Sequence, residues 1–225
     1  MIHPRSDQLP PGQFEAAAFR RFGLGRFAKK RIDETLPPVL AVRGDVANPV
    51  ELWDQLAKLP RHEQTSDFHC VTTWSVRNLH WSGYRFADFH HQLALPLAAP
   101  AAAATFVVMR GSDGYRCALP LGDLLAPDVM LADRLDGKPL GVEHGAMLRL
   151  IAPAHYGYKS VKHLIAIEYW TDRRHYRFPW PYPGFMDHPR ARVACEERGR
   201  WVPNALLRPA YRLFIPPAIK GGTSG

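Results

Sequence analysis

Apolar positions in this chain come in short runs cut by proline and glycine, a pattern of many loops and short strands more than of a helical bundle. Residues 39–45 read as a strand running into a turn. Asn48-Pro49 then opens what the spacing predicts to be a short helix over 50–59, closed by Pro60. The segment 62–71 passes from polar to apolar and predicts a strand with Cys70 at its end. Trp74, His80, Trp81 and Tyr84 follow in a loop-like stretch with a turn at Ser82-Gly83.

Further on, residues 86–95 fit a helix ended by Pro96 and Pro100, and the alanines 101–104 a spacer. Residues 105–110 and 115–119 predict a hairpin around the Gly111-Ser112-Asp113-Gly114 turn. A short helix over 120–125, a strand over 129–132, a turn at Asp136-Gly137 and a strand over 148–152 come next. Residues 161–170 read mostly as strand, 178–184 as loop, 190–200 as a charged helix and 221–225 as frayed. No fixed-period repeat is present. The expected fold class is therefore α+β, a single domain of mixed β-sheets with short helices. Residues 1–38 form an arm held by Phe19, Phe22 and Phe27, residues 39–170 the core, and residues 171–225 an extension packed on it.

Composition narrows this picture. At 225 residues the chain suits one large domain or two small ones, and 46% hydrophobic with 22% charged residues is ordinary for a soluble chain. The net charge of +8 favours an anionic partner: nucleic acid, an acidic membrane surface or a phosphate-bearing cofactor. The plainer alternative is a solvated basic surface. Paired zinc ligands and an aromatic RNA-binding strand motif are both lacking, which argues against nucleic acid. Three widely spaced cysteines, Cys70, Cys117 and Cys195, argue for a reducing compartment over a disulfide framework. No stretch approaches a membrane-spanning helix, and Arg20-Arg21-Phe22 is not followed by an export signal's apolar run. A cytoplasmic protein is expected.

Two stretches carry candidate chemistry. The first is Asp67-Phe68-His69-Cys70-Val71-Thr72-Thr73-Trp74-Ser75. Cys70 is either a buried small hydrophobe or a metal-ready thiolate. One thiolate cannot hold zinc alone; His69, His80, His90 and His91 lie within reach in sequence, but His69 as a strand neighbour points to the opposite face, which makes a zinc site weak. A lone thiolate makes more sense where a cofactor supplies the other ligands. The second stretch, residues 144–162, offers Arg149, His155, Lys159 and Lys162 as cations, Ser160 as a hydroxyl and Gly157 for close backbone approach. These suit a phosphate; the competing reading is a solvated basic loop.

Taken together, the two stretches resemble the oxidoreductase molybdopterin-binding domain family, the sulfite oxidase fold shared with the catalytic subunit of bacterial methionine sulfoxide reductase. Trp81-Ser82-Gly83, Leu119-Pro120-Leu121, Leu131-Ala132, Leu135-Asp136-Gly137-Lys138-Pro139-Leu140 and Glu143-His144-Gly145 follow in the family's order, and the likeness runs from Val39 to Tyr169. It implies a molybdenum cofactor with Cys70 as the metal ligand and catalytic residue. His144, Arg149, Ser160, Val161 and Lys162 fall at cofactor-binding positions, and His155 and Lys159 beside them are expected to bind the cofactor as well. His144 stands where the reductase has asparagine. The arginine-rich segment that follows the cysteine in sulfite oxidases is replaced here by Thr72, Thr73, Trp74 and Ser75.

The resulting expectation is a molybdenum oxidoreductase for two-electron oxygen-atom transfer on a small S-oxo, N-oxo or related substrate. With no haem or flavin of its own, it would exchange electrons with an external carrier or redox subunit. The rivals are a non-catalytic basic binding module that keeps the fold without the metal, and a zinc hydrolase using Cys70 and the histidines.

Overall fold

The computed structural model describes residues 8–20, 27, 39–180 and 182–215. Its strands divide between two sheets. The first gathers on the long β5 (Trp74–Arg85). Antiparallel β4 (Arg61–His69) lines one edge of β5. The two-residue parallel β1 (Phe14–Glu15) and antiparallel β8 (Met130–Leu135) share the other. On β8 lie β9 (Lys138–Pro139) and β10 (Arg149–Ile151). The second sheet runs β3 (Val50–Leu52), β2 (Leu40–Gly44), β11 (Leu164–Trp170), β6 (Phe106–Gly111) and β7 (Arg116–Pro120), with only the β2–β11 pair parallel. It is the single α+β domain of mixed sheets that the sequence predicts.

Strand alternation splits the buried residues of the first sheet between two cores. Tyr84, Leu131 and Leu150 join the main core, with Val42, Val107, Met109 and Ile167 of the second sheet. Their strand neighbours Met130, Ala132 and Ile151 face the other way, into a smaller core with Trp74, Trp81 and Cys70. That smaller core is closed by Phe14, Ala16 and Phe19 of the arm and by Ile215 near the chain's end.

Four local expectations are corrected. Residues 50–59 are not a helix: Val50–Leu52 pairs with β2, and a single 3-10 turn follows at Leu56–Lys58, because sheet pairing overrides a weak helical spacing. Residues 74–84 are not a loop but β5, whose polar members Asn78 and His80 lie within the long antiparallel ladder against β4. The helix from Phe86 does not stop before Pro96. After α1 (Phe86–Phe89) it widens into a π-helix over His90–Ala98, a winding that tolerates the missing N–H of Pro96. Residues 190–200 form no helix. Ion pairs of Arg190 with Asp123, Arg192 with Glu197 and Arg198 with Glu196 hold them in turns, with Ala191 and Glu196 in left-handed backbone. The helix lies later. After α2 (Leu121–Leu124), α3 spans Asn204–Arg212 behind Pro203. The expected fraying at 221–225, and the arm aromatic Phe22, lie outside the described residues.

Strand β11 carries a buried carboxylate, Glu168, gripped by Arg110 from β6 and Arg43 from β2 at 2.7 and 2.8 Å. Burial opposes its charge, but the hydrogen bonds from the two guanidinium groups outweigh that and hold its pKa below the usual glutamate value. A depressed carboxylate pKa gives stability that is present above the unfolded pKa and lost as pH falls through the folded one. Glu168→Gln is therefore expected to cost about 1.5–3 kcal/mol at neutral pH. Denaturant melts at stepped pH should show the gap to wild type closing as Glu168 protonates.

Candidate cofactor site

Cys70 is the first residue after β4, where the ladder gives way to a tight turn. Its N–H donates to the Trp74 carbonyl, and the Thr73 N–H donates back to the Cys70 carbonyl. Strand periodicity puts Cys70 on the same face as Phe68, in the smaller core. The sulfur is buried, 3.1 Å from the Thr72 hydroxyl oxygen. Burial pushes the thiol pKa up to about 11; the Thr72 hydroxyl, the backbone N–H groups of Thr72 and Val71 and the positive Arg198 all work in the opposite direction. Arg198 is itself fully buried. It donates to the Val71 and Pro11 carbonyls at 2.7 and 3.1 Å and pairs with Glu196. From the arm, Gln13 donates to the Cys70 carbonyl at 3.2 Å and accepts from Ser75, whose hydroxyl also meets His69.

The second stretch meets the first through Arg149. Alternation on β10 turns Leu150 into the main core and Arg149 to the other side. There the guanidinium lies over the rings of Trp81, Phe68 and Phe19 at 5.1, 5.7 and 5.8 Å. It donates to the carbonyls of His144 at 2.7 Å and Ser160 at 3.4 Å, and its Nε has no partner among the described residues. No carboxylate pairs with it among the described residues, and burial alone lowers its pKa to about 9. His144 stacks on Phe19 with centroids 4.8 Å apart; burial, then Arg149 and Lys162, lower its pKa and favour the neutral ring.

The other expected donors divide into two groups. Ser160, Val161 and Lys162 stay with Arg149. Ser160 Oγ accepts from the Ala152 N–H, Val161 is paired through its carbonyl with Leu150, and the Lys162 ammonium reaches the Glu143 carbonyl at 3.2 Å. Gly145, with φ of +109°, lets the His144 turn pass so close to Lys162 and Arg149 that a Cβ would crowd both side chains. Lys159 does not join them. Its ammonium is fully buried on the other side, 2.9 Å from both Asp187 and the Ala118 carbonyl of β7. His155 is also buried and turned toward the Arg190 carbonyl, with its pKa lowered by burial. Gly157 does serve close approach, but to the Phe68 ring, 2.1 Å from where a Cβ would stand.

Sequence reading missed three participants. Phe19 was visible only as an arm aromatic, Gln13 carried no signal, and Arg198 was hidden in a charged run whose members look alike. Among the described residues, no three His, Cys, Asp or Glu side chains come together as a metal site. His80 bonds Thr65 and His90 bonds Tyr169, so the zinc alternative lacks ligands. No helix among the described residues is long and apolar enough to cross a membrane.

The family profile described as the oxidoreductase molybdopterin binding domain matches residues 37–178. The chain belongs to that family. It is 34% identical over 163 residues to the uncharacterised oxidoreductase YuiH of Bacillus subtilis, covering 72% of this chain and 78% of YuiH. It is 29% identical over 205 residues to the catalytic subunit MsrP of the protein-methionine-sulfoxide reductase of Xanthomonas axonopodis, covering 80% of this chain and 63% of that protein. Among solved structures, the sulfane dehydrogenase SoxCD of Paracoccus pantotrophus shares the fold, with a TM-score of 0.53 and 19% identity over 68% of this chain and 40% of that one. The chain thus spans less than two thirds of MsrP and less than half of the SoxCD chain.

The residues present fit the family's cofactor. A fully buried guanidinium without an anion is costly, and its orphaned Nε is a donor suited to a phosphate oxygen. The donors around the Cys70 sulfur suit a thiolate ligand. Burying Arg149 without an anion carries a consequence for the cofactor-free protein. Arg149→Met should leave its stability within about 1 kcal/mol of wild type or raise it, since apolar volume replaces an unpaired charge. Urea unfolding of protein from a host unable to make the cofactor checks this; a loss of about 3 kcal/mol or more would assign the guanidinium a purely structural role.

Proposed function

We propose that this protein is a molybdenum cofactor-dependent oxidoreductase acting on a small S-oxo, N-oxo or related substrate. The observation that carries the reading is the meeting of a donor-ringed thiol, Cys70, with an unpaired buried guanidinium, Arg149, across the Phe68 and Trp81 rings. Cys70 would ligate the metal. Arg149, Ser160, Val161 and Lys162 would hold the pterin phosphate and ring, and His144, as a neutral ring, would hydrogen-bond the cofactor. Two-electron oxygen-atom transfer is the chemistry the cofactor supplies when bound, with two electrons exchanged with an external carrier or redox subunit and two protons with solvent. The protein's share is to bind, orient and keep water out. Trp74 and Trp81, both buried beside Cys70, serve the last of these.

Elemental and pterin analysis of protein from a host able to make the cofactor tests the assignment directly. About one molybdenum and one pterin per chain support it; neither would return the non-catalytic binding module. Cys70→Ser is expected to abolish turnover in a substrate screen with an artificial electron donor while the fold survives, because a hydroxyl is a harder and less covalent ligand. Wild-type turnover in that variant removes Cys70 from the metal.

Lys162→Ala should lower the pterin retained after extensive dialysis, since each charge-assisted contact contributes roughly 1.5–3 kcal/mol. Unchanged occupancy would place the ammonium outside the cofactor's reach.

A further inference from the structure

Two threonines follow Val71 in the cysteine turn, and their hydroxyls have different fates. Thr73, with φ of +79°, buries its Oγ1 without a hydrogen-bond partner among the described residues while its backbone closes the turn onto Cys70 and β1. Thr72 turns its hydroxyl to the Cys70 sulfur at 3.1 Å, and no other partner of that hydroxyl occurs among the described residues. Both side chains are buried, at 4% exposure for Thr72 and 0% for Thr73, so water does not compete for the contact.

We propose that Thr72 is a positioning residue for the metal ligand, its hydroxyl donating to the Cys70 sulfur, fixing its direction and drawing charge from it. The inference rests on the reading of Cys70 as a molybdenum ligand. A metal-bound sulfur carries no proton, so only the Thr72 O–H can be the donor in this pair. A hydrogen bond to a ligating sulfur reduces its electron donation, which favours the metal's lower oxidation state and raises the reduction potential. The turn is suited to this. The Gln13 amide on the Cys70 carbonyl and the Arg198 guanidinium on the Val71 carbonyl hold the two peptide groups that follow the sulfur-bearing residue.

The test compares cofactor-loaded wild type with Thr72→Val, which keeps the shape and removes the donor, and Thr72→Ser, which keeps the donor. Molybdenum and pterin content are measured first, then the metal's midpoint potentials by redox titration followed by paramagnetic resonance. Expected are full loading in all three and a shift to more negative potential in Thr72→Val. The shift should be several-fold in the one-electron equilibrium, where tenfold corresponds to about 59 mV. Thr72→Ser should restore the wild-type value and the resonance signal of the cysteine-ligated metal. Loss of loading in Thr72→Val alone, with Thr72→Ser loaded, also supports the hydroxyl's role. Identical potentials and signals in Thr72→Val and wild type overturn it, as does Thr72→Ser behaving like Thr72→Val in either loading or potential. Wild type without molybdenum would instead sink the metal-ligand reading, and this inference with it.

Discussion

Arg149 is buried with two carbonyl oxygens and three aromatic faces around it, and no carboxylate among the described residues. In a chain with 29 Lys and Arg residues and 21 Asp and Glu residues, a partner of opposite charge was available in principle. Instead the guanidinium's neighbours are groups that tolerate a cation without neutralising it. Under the proposed function an anionic cofactor would complete this arrangement. Strand β10 aims Arg149 away from the main core, the His144 turn bends over it, and the Ser160 carbonyl meets it from the side.

The cysteine turn is held by segments far away in sequence. Arg198 reaches it from the C-terminal extension, and Gln13 from the arm. α3 backs this up, since Tyr211 donates to the Arg198 carbonyl and Ile215 packs in the same core as Cys70. If Cys70 ligates a metal as proposed, these distant contacts would help hold the sulfur in the required position.

Much of the positive charge is paired with carboxylates of the chain itself. Arg43 and Arg110 grip Glu168, Arg190 holds Asp123, Arg192 holds Glu197, and Arg198 and Arg208 share Glu196. Lys159 and Arg173 both meet Asp187. The net charge of +8 already counts these carboxylates against their cations, so the pairing fixes where charge sits without changing its sum.

The pattern of short apolar runs and turns pointed to the α+β fold, and the order of short motifs to the family. Residue spacing alone also placed Cys70 at the end of a strand, where β4 stops at His69. What only the tertiary structure decided is which cations share the Cys70 side of the fold. Arg149 and Lys159 stand in one basic stretch and look equivalent in sequence. The first sits on a strand whose alternation sends it to the Cys70 face. The second sits in a 3-10 turn (Gly157–Lys159) that hands it to Asp187 and to β7 of the other sheet. Phe19, Gln13 and Arg198 escaped notice for the same reason: their partners are brought to them by chain folding over 49 residues or more, and no local pattern encodes a contact of that range.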